Sequence, residues 1–132
     1  MFRKFKQNKL WRDKSVDKAE ATGSKIHWTR LDDAAFADEL KLKFIEEAQE
    51  VCATSNKEAL IEELGDVLEV IKSLGTVYNF TLQDVCDVRD KKYENRGGFD
   101  GRKFVTMAES PADSYLIDYF LNDPKKYPEI ID

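Results

Sequence analysis

An all-α bundle is the fold class this sequence predicts, and three observations predict it. Two long stretches repeat their apolar residues every three or four positions, the period of a helix with one buried side. Polar capping residues stand immediately before both stretches and before a third. Strand-like alternation is confined to two short segments, 25–30 and 102–107, enough for a short two-stranded ribbon at most. At 132 residues the chain is expected to be one domain, 1–132.

Residues 1–31 show no helical periodicity and end in Lys25-Ile26-His27-Trp28-Thr29-Arg30, which alternates in character. Asp32 or Asp33 then caps a helix that runs to about Cys52, with Phe36, Leu40, Phe44, Ala48 and Val51 on one stripe. Thr54-Ser55-Asn56 breaks the pattern, and Asn56 caps a second helix to about Tyr78. Its stripe is Leu60, Leu64, Val67, Ile71, Leu74 and Tyr78. Asn79-Phe80-Thr81 turns the chain, and Thr81 with Asp84 three residues on resembles a capping box. The third helix ends at Gly97-Gly98, where glycine supplies a left-handed stop. Arg102 to Met107 is the second candidate strand, and Ser110-Pro111 opens a last helix to about Asn122. A polar tail follows from Pro124.

Composition excludes several classes of function. A net charge of −5 argues against non-specific nucleic-acid binding. No apolar run approaches the roughly 18 residues that a membrane span needs, and no apolar core follows the basic start, so neither a membrane segment nor a secretory signal is expected. A cytoplasmic protein is the expectation, with Cys52 and Cys86 reduced and packed as small hydrophobes. The single histidine, His27, is expected on the surface or packed, not in catalysis.

The carboxylates carry the chemical signal. Glu47 and Glu50 lie three apart within Glu46-Glu47-Ala48-Gln49-Glu50, and Glu63 and Asp66 lie three apart within Glu63-Leu64-Gly65-Asp66. Such pairs share one helix face. In so acidic a chain a solvated face is the ordinary explanation, and direction tests it. At about 100° per residue, Glu47 falls about 60° from Phe44, inside the apolar arc, and Glu50 just past its edge. On the second helix, counted from Leu64 at the same ~100° step, Glu63 falls between Leu74 and Val70, with Asp66 at the rim beside Val77. Glu58, Glu62 and Glu69 gather on the opposite side and form the solvated face. A carboxylate inside an apolar stripe costs several kcal/mol unless it is paired or bound to a cation. Four of them at one point suit an all-oxygen site for Mg²⁺ or Mn²⁺. On the third helix Lys92, Arg89 and Arg96 continue the apolar direction of Leu82, Val85 and Val88, where cations can snorkel, pair with the acidic helices or bind phosphate. The second helix has an apolar arc of about 200° at ~100° per residue, too wide for one neighbour, so a homodimer with sites near its interface is expected.

These residues resemble a known signature. Glu-Glu-x-x-Glu followed after twelve residues by Glu-x-x-Asp is similar to the motif of the all-α nucleoside triphosphate pyrophosphohydrolases, the MazG-like superfamily. Asn8-Lys9-Leu10-Trp11-Arg12-Asp13-Lys14 is similar to an Asn-Lys-Leu-Val-Arg-Asp-Lys motif, and Lys92 through Phe99 to a Lys-x-x-x-Arg-Gly-Gly-Phe motif. Together they resemble the phosphoribosyl-ATP-pyrophosphohydrolase-like, house-cleaning branch, over residues 8–105. The chain departs where that branch continues with Ile-Pro-Glu, for here Ser15-Val16-Asp17 follows. Residues 110–132 lie outside the shared pattern.

The resemblance implies a Mg²⁺-dependent hydrolysis of a nucleoside triphosphate, non-standard ones included, to the monophosphate and pyrophosphate. It implies Glu47, Glu50, Glu63 and Asp66 as metal ligands and catalytic roles for Glu47 and Glu46, Glu46 lying outside the ligands to hold a metal-bound water, a second ion or a general-base position. It implies Lys92, Arg96, Arg12 and Lys14 as phosphate ligands. Two alternatives stay open: the phosphoribosyl-ATP reaction of histidine biosynthesis, and a metal-stabilised helical interaction module without activity.

Overall fold

The computed structural model describes residues 1–132 and contains five helices and no strand. In chain order they are α1 (Asp13–Ala21), α2 (Asp33–Ala53), α3 (Lys57–Tyr78), α4 (Leu82–Arg96) and α5 (Tyr115–Leu121). The chain divides into two compact units, Met1–Asn95 and Arg96–Asp132. None of the helices is long and apolar enough to cross a membrane.

The first unit is built on α2 and α3. Asp32 caps α2 by accepting from the Ala35 amide at 2.9 Å, and Asn56 caps α3 by accepting from Ala59 at 2.8 Å. The capping box expected at the start of α4 is present in both directions: Thr81 Oγ1 accepts from the Asp84 amide at 3.1 Å, and Asp84 Oδ2 accepts from the Thr81 amide at 2.8 Å. The connection between α2 and α3 is only Thr54 to Asn56, so the two helices fold back on each other as an antiparallel pair. This is the one helix–helix packing in the first unit, and α1 and α4 lie against neither member of it.

The core of the pair is small. Ala37, Leu40 and Val70 are its buried apolar side chains, and Glu47 is buried with them. Much of the apolar surface stays open: Leu42, Ile45, Ile61, Leu64 and Leu68 are all exposed, Ile61 to 58%. The stripe read along α3 is therefore only partly covered by α2.

Four expectations from the sequence are corrected. Residues 13–21 form α1, although no helix was expected before Asp32. The helix buries no residue and carries only Val16 and two alanines against five charged residues, too little for an apolar period to register. Its stop signal was visible, for Gly23 adopts φ 94° and donates to the Glu20 carbonyl. Neither 25–30 nor 102–107 is a strand, because alternation makes no strand until another backbone pairs with it. The last helix begins at Tyr115 under a Ser114 cap, while Pro111 closes a preceding turn through the Ser114 amide. Cys52 is exposed and Cys86 half-buried, both free, so neither belongs to a core.

In the second unit, α5 presents Tyr119 and Phe120 to Tyr127, with ring centroids 5.1–5.7 Å apart. The Tyr119 and Tyr127 hydroxyls lie 3.3 Å apart.

The end of α3 depends on one glycine. Asn79 takes a left-handed conformation (φ 59°), and the Phe80 amide returns to the Gly75 carbonyl at 3.0 Å. That return brings the Phe80 carbonyl against Gly75, where a Cβ would collide with its oxygen. Gly75→Ala is expected to destabilise the protein by about 1–3 kcal/mol, read as a lower urea midpoint with an unchanged m-value. An unchanged midpoint would show that the turn relaxes freely.

Candidate metal centre

Residues equidistant from a tight helix connection stand level in an antiparallel pair. Leu40 is thus level with Val70, and two turns nearer the connection Glu47 is level with Glu63. Glu50, one turn on from Glu47, falls on the same face. One carboxylate oxygen from each of Glu47, Glu50 and Glu63 lies within 4.8 Å of the other two. Glu47 is 5% exposed, Glu63 is half-buried and Glu50 is exposed. The Oε2 atoms of Glu47 and Glu63 are both buried without a hydrogen-bond partner.

The local electrostatics divide the acidic residues into two sets. Burial, then the hydrogen bond and repulsion from Glu50, push the Glu47 carboxyl up, and the Lys43 ammonium at 3.5 Å from its Oε1 opposes the shift. Burial with the same Glu50 contacts pushes the Glu63 carboxyl up to about 7. Glu46 behaves oppositely: a hydrogen bond from Lys9 at 3.1 Å, with Lys43 at 3.7 Å, holds it below the usual carboxylate range. Asp66 is bound by Arg12, whose Nη2 donates to Oδ1 at 2.7 Å.

The sequence candidates are therefore brought together only in part. Glu47, Glu50 and Glu63 converge, whereas Asp66 stands beside them with one oxygen engaged by Arg12. Glu58, Glu62 and Glu69 are exposed, as their angular positions require. Lys14 is exposed on the first turn of α1. Lys92 is exposed on α4, which does not pack on the α2–α3 pair, so the basic helix expected to face the carboxylates does not do so within this unit. Arg96, the last residue of α4, opens the second unit.

Two residues were missed as functional. Lys9 holds Glu46, and Lys43 stands between Glu46 and Glu47. Lys43 was legible as the i,i+3 and i,i+4 neighbour of two glutamates. Lys9 carried no signal beyond its place in the Asn8–Lys14 motif. An open hollow of about 330 Å³ adjoins the cluster at the helix connection, lined by Glu50, Ala53, Thr54, Ser55, Ala59 and Glu63.

The donor set is three carboxylates with two orphaned buried oxygens, all hard oxygen ligands. Those residues fit a hard divalent cation, which would supply the positive charge that the buried oxygens lack.

Comparison with known families places these residues. The model of the MazG nucleotide pyrophosphohydrolase domain matches residues 37–98, which take in most of α2 and all of α3 and α4. No curated protein and no solved structure matches the chain.

The raised Glu47 and Glu63 groups link stability to pH in the metal-free protein. Glu63 binds its proton more tightly folded than unfolded, so the stabilisation is complete below about pH 4.5 and is lost as pH rises through about 7. The melting temperature in chelator is expected to fall between pH 5 and 8, and Mg²⁺ is expected to raise it more at pH 8 than at pH 5. Glu63→Gln should flatten the profile. A melting temperature in chelator that rises over this range would contradict the cluster's electrostatics.

Proposed function

We propose that this chain, whose residues 37–98 match the model of the MazG nucleotide pyrophosphohydrolase domain, hydrolyses a nucleoside triphosphate to its monophosphate and pyrophosphate with Mg²⁺, for which Mn²⁺ can substitute. The observation that carries the reading is Glu47: a buried carboxylate with an unpartnered oxygen, level with Glu63 and beside Glu50. A carboxylate so placed is unfavourable unless a cation joins it. Glu47, Glu50 and Glu63 would hold the ion, with Asp66 as the fourth ligand. When bound, Mg²⁺ supplies a compact positive charge that offsets the triphosphate and makes its α-phosphorus more electrophilic.

The chain's own groups do the rest. Glu46 stays ionised beside Lys9 and Lys43 and stands next to Glu47, which leaves it, on motif grounds, as the group to hold and orient the attacking water. The same lysines make it a weaker base than a free carboxylate. Attack at the α-phosphorus forms the new P–O bond and breaks the bond to pyrophosphate, which leaves with its electron pair. Arg12 and Lys14, at the start of α1, are the candidates to hold the departing phosphates. Lys92 and Arg96 keep that role on motif grounds, and Lys92 fills it only where α4 is brought to an α2–α3 pair. The hollow at the helix connection offers space beside Glu50 and Glu63 for part of the nucleotide.

The uncovered apolar surface supports a second element of the reading, a homodimer. Ile45, Ile61, Leu64 and Leu68 are exposed on the α2–α3 pair, and a second copy covering them would take that apolar surface out of water. Light scattering at micromolar concentration is expected to give twice the mass of one chain, and Leu68→Asp to shift it towards one. A single-chain mass for the unaltered protein would remove the dimer from the proposal.

The decisive assay follows pyrophosphate released from a panel of standard and modified nucleoside triphosphates and phosphoribosyl-ATP with Mg²⁺. Release is expected from at least one triphosphate. Glu47→Gln and Glu63→Gln are expected to lower it by more than the roughly 10–100-fold typical of groups one step removed from a metal, with Glu62→Gln unaffected. Turnover of phosphoribosyl-ATP alone would place the chain in histidine biosynthesis. Metal-dependent stability with no release from any compound would make it a non-enzymatic module.

A further inference from the structure

We infer that Arg12 is a displaceable counter-ion: it holds Asp66 in the metal-free protein and yields that carboxylate to the divalent ion. The inference rests on reading Glu47, Glu50 and Glu63 as a cation site. Asp66 lies on the same face of α3 as Glu63, three residues on. It is near enough to Glu47 and Glu63 for its charge to repel theirs. Yet its oxygens are not among those that converge within 4.8 Å, and Oδ1 is taken by the Arg12 guanidinium at 2.7 Å.

The segment that carries Arg12 is built to let go. Residues 8–12 run across α2 and α3, with Lys9 on Glu46 of α2 and Arg12 on Asp66 of α3. Asn8 turns the chain into this segment with a left-handed φ of 50°. Leu10 and Trp11 are only half-buried, and α1 beyond them packs on no other helix of its unit. The Arg12 side chain is 58% exposed, so water and salt screen its pair with Asp66. The Lys9–Glu46 pair sits on a carboxylate outside the converging set and can persist when Arg12 leaves. Once released, the guanidinium keeps a flat pair of donors that matches a phosphate edge. Arg12 thus serves two anions in turn: Asp66 before the ion arrives, and the phosphates that accompany it afterwards.

The test is Mn²⁺ alone, titrated into the full-length chain at low salt and followed by electron paramagnetic resonance, without nucleotide. Arg12→Ala is expected to bind Mn²⁺ about two- to fivefold tighter than the unaltered protein, the range that an exposed ion pair is worth. In an Asp66→Asn background the same substitution should change nothing, because the carboxylate in contention is gone. Equal or weaker binding by Arg12→Ala overturns the inference. So does a gain that persists with Asn at position 66, since that is a general charge effect and not competition for Asp66. An unaltered protein that binds no Mn²⁺ overturns the cation site itself, which separates the failure of that reading from the failure of this one.

Discussion

The Glu47 carboxylate sits between α2 and α3 with one oxygen 3.5 Å from the Lys43 ammonium and the other without a partner. Its position follows from the length of the α2–α3 connection, because three linking residues set which side chains come level. A connection one residue longer would rotate one helix by about 100° relative to the other and carry Glu63 away from Glu47. The same register sets Leu40 beside Val70, so the small apolar core and the carboxylate cluster are two consequences of one constraint. The core holds the helices together where the carboxylates repel, and neither can be shifted alone.

Around this point the chain sorts its acidic groups by depth. The inner three converge and two of them, Glu47 and Glu63, gain affinity for protons, the response of carboxylates held together out of water. The outer two, Glu46 and Asp66, are each matched by a cation from the N-terminal segment. Glu46 is drawn below its ordinary range by its lysines, while Glu47, the adjacent residue, is pushed above it. Two adjacent residues of one helix thus hold protons with opposed strength, Glu47 because it is buried beside Glu50 and Glu46 because lysines face it.

What was legible in the sequence was local and periodic. The caps at Asp32, Asn56 and Thr81 depend on short-range hydrogen bonds and the stop after Arg96 on a left-handed Gly97, and all four are where the pattern put them. The burial of Glu47 and the exposure of Glu58, Glu62 and Glu69 followed from helix angles alone. What was not legible needed a second segment. Asp66 and Glu50 look alike on their helices, and only the arrival of Arg12 distinguishes them. The third helix seemed to face the carboxylates because its cations share an apolar direction, but a direction on one helix does not say which neighbour it meets. α1 escaped notice because it buries nothing, and the two alternating segments failed as strands because pairing is a property of two chains of backbone.

The remaining conflict in the structure is between a thin core and a crowded charge. Ala37, Leu40 and Val70 are few contacts for helices of 21 and 22 residues, and charge repulsion at Glu47, Glu50 and Glu63 works to part them. Two events would oppose that repulsion: a cation among the carboxylates and a cover over Ile61, Leu64 and Leu68. If each binds the packed pair in preference to a parted one, each strengthens the other by linkage, and no contact between ion and covering surface is needed for it. On that reading the exposed apolar face and the acidic cluster are not independent features of α3. Both would act on the packing of α2 against α3, the one through charge at the seam and the other through apolar area taken out of water.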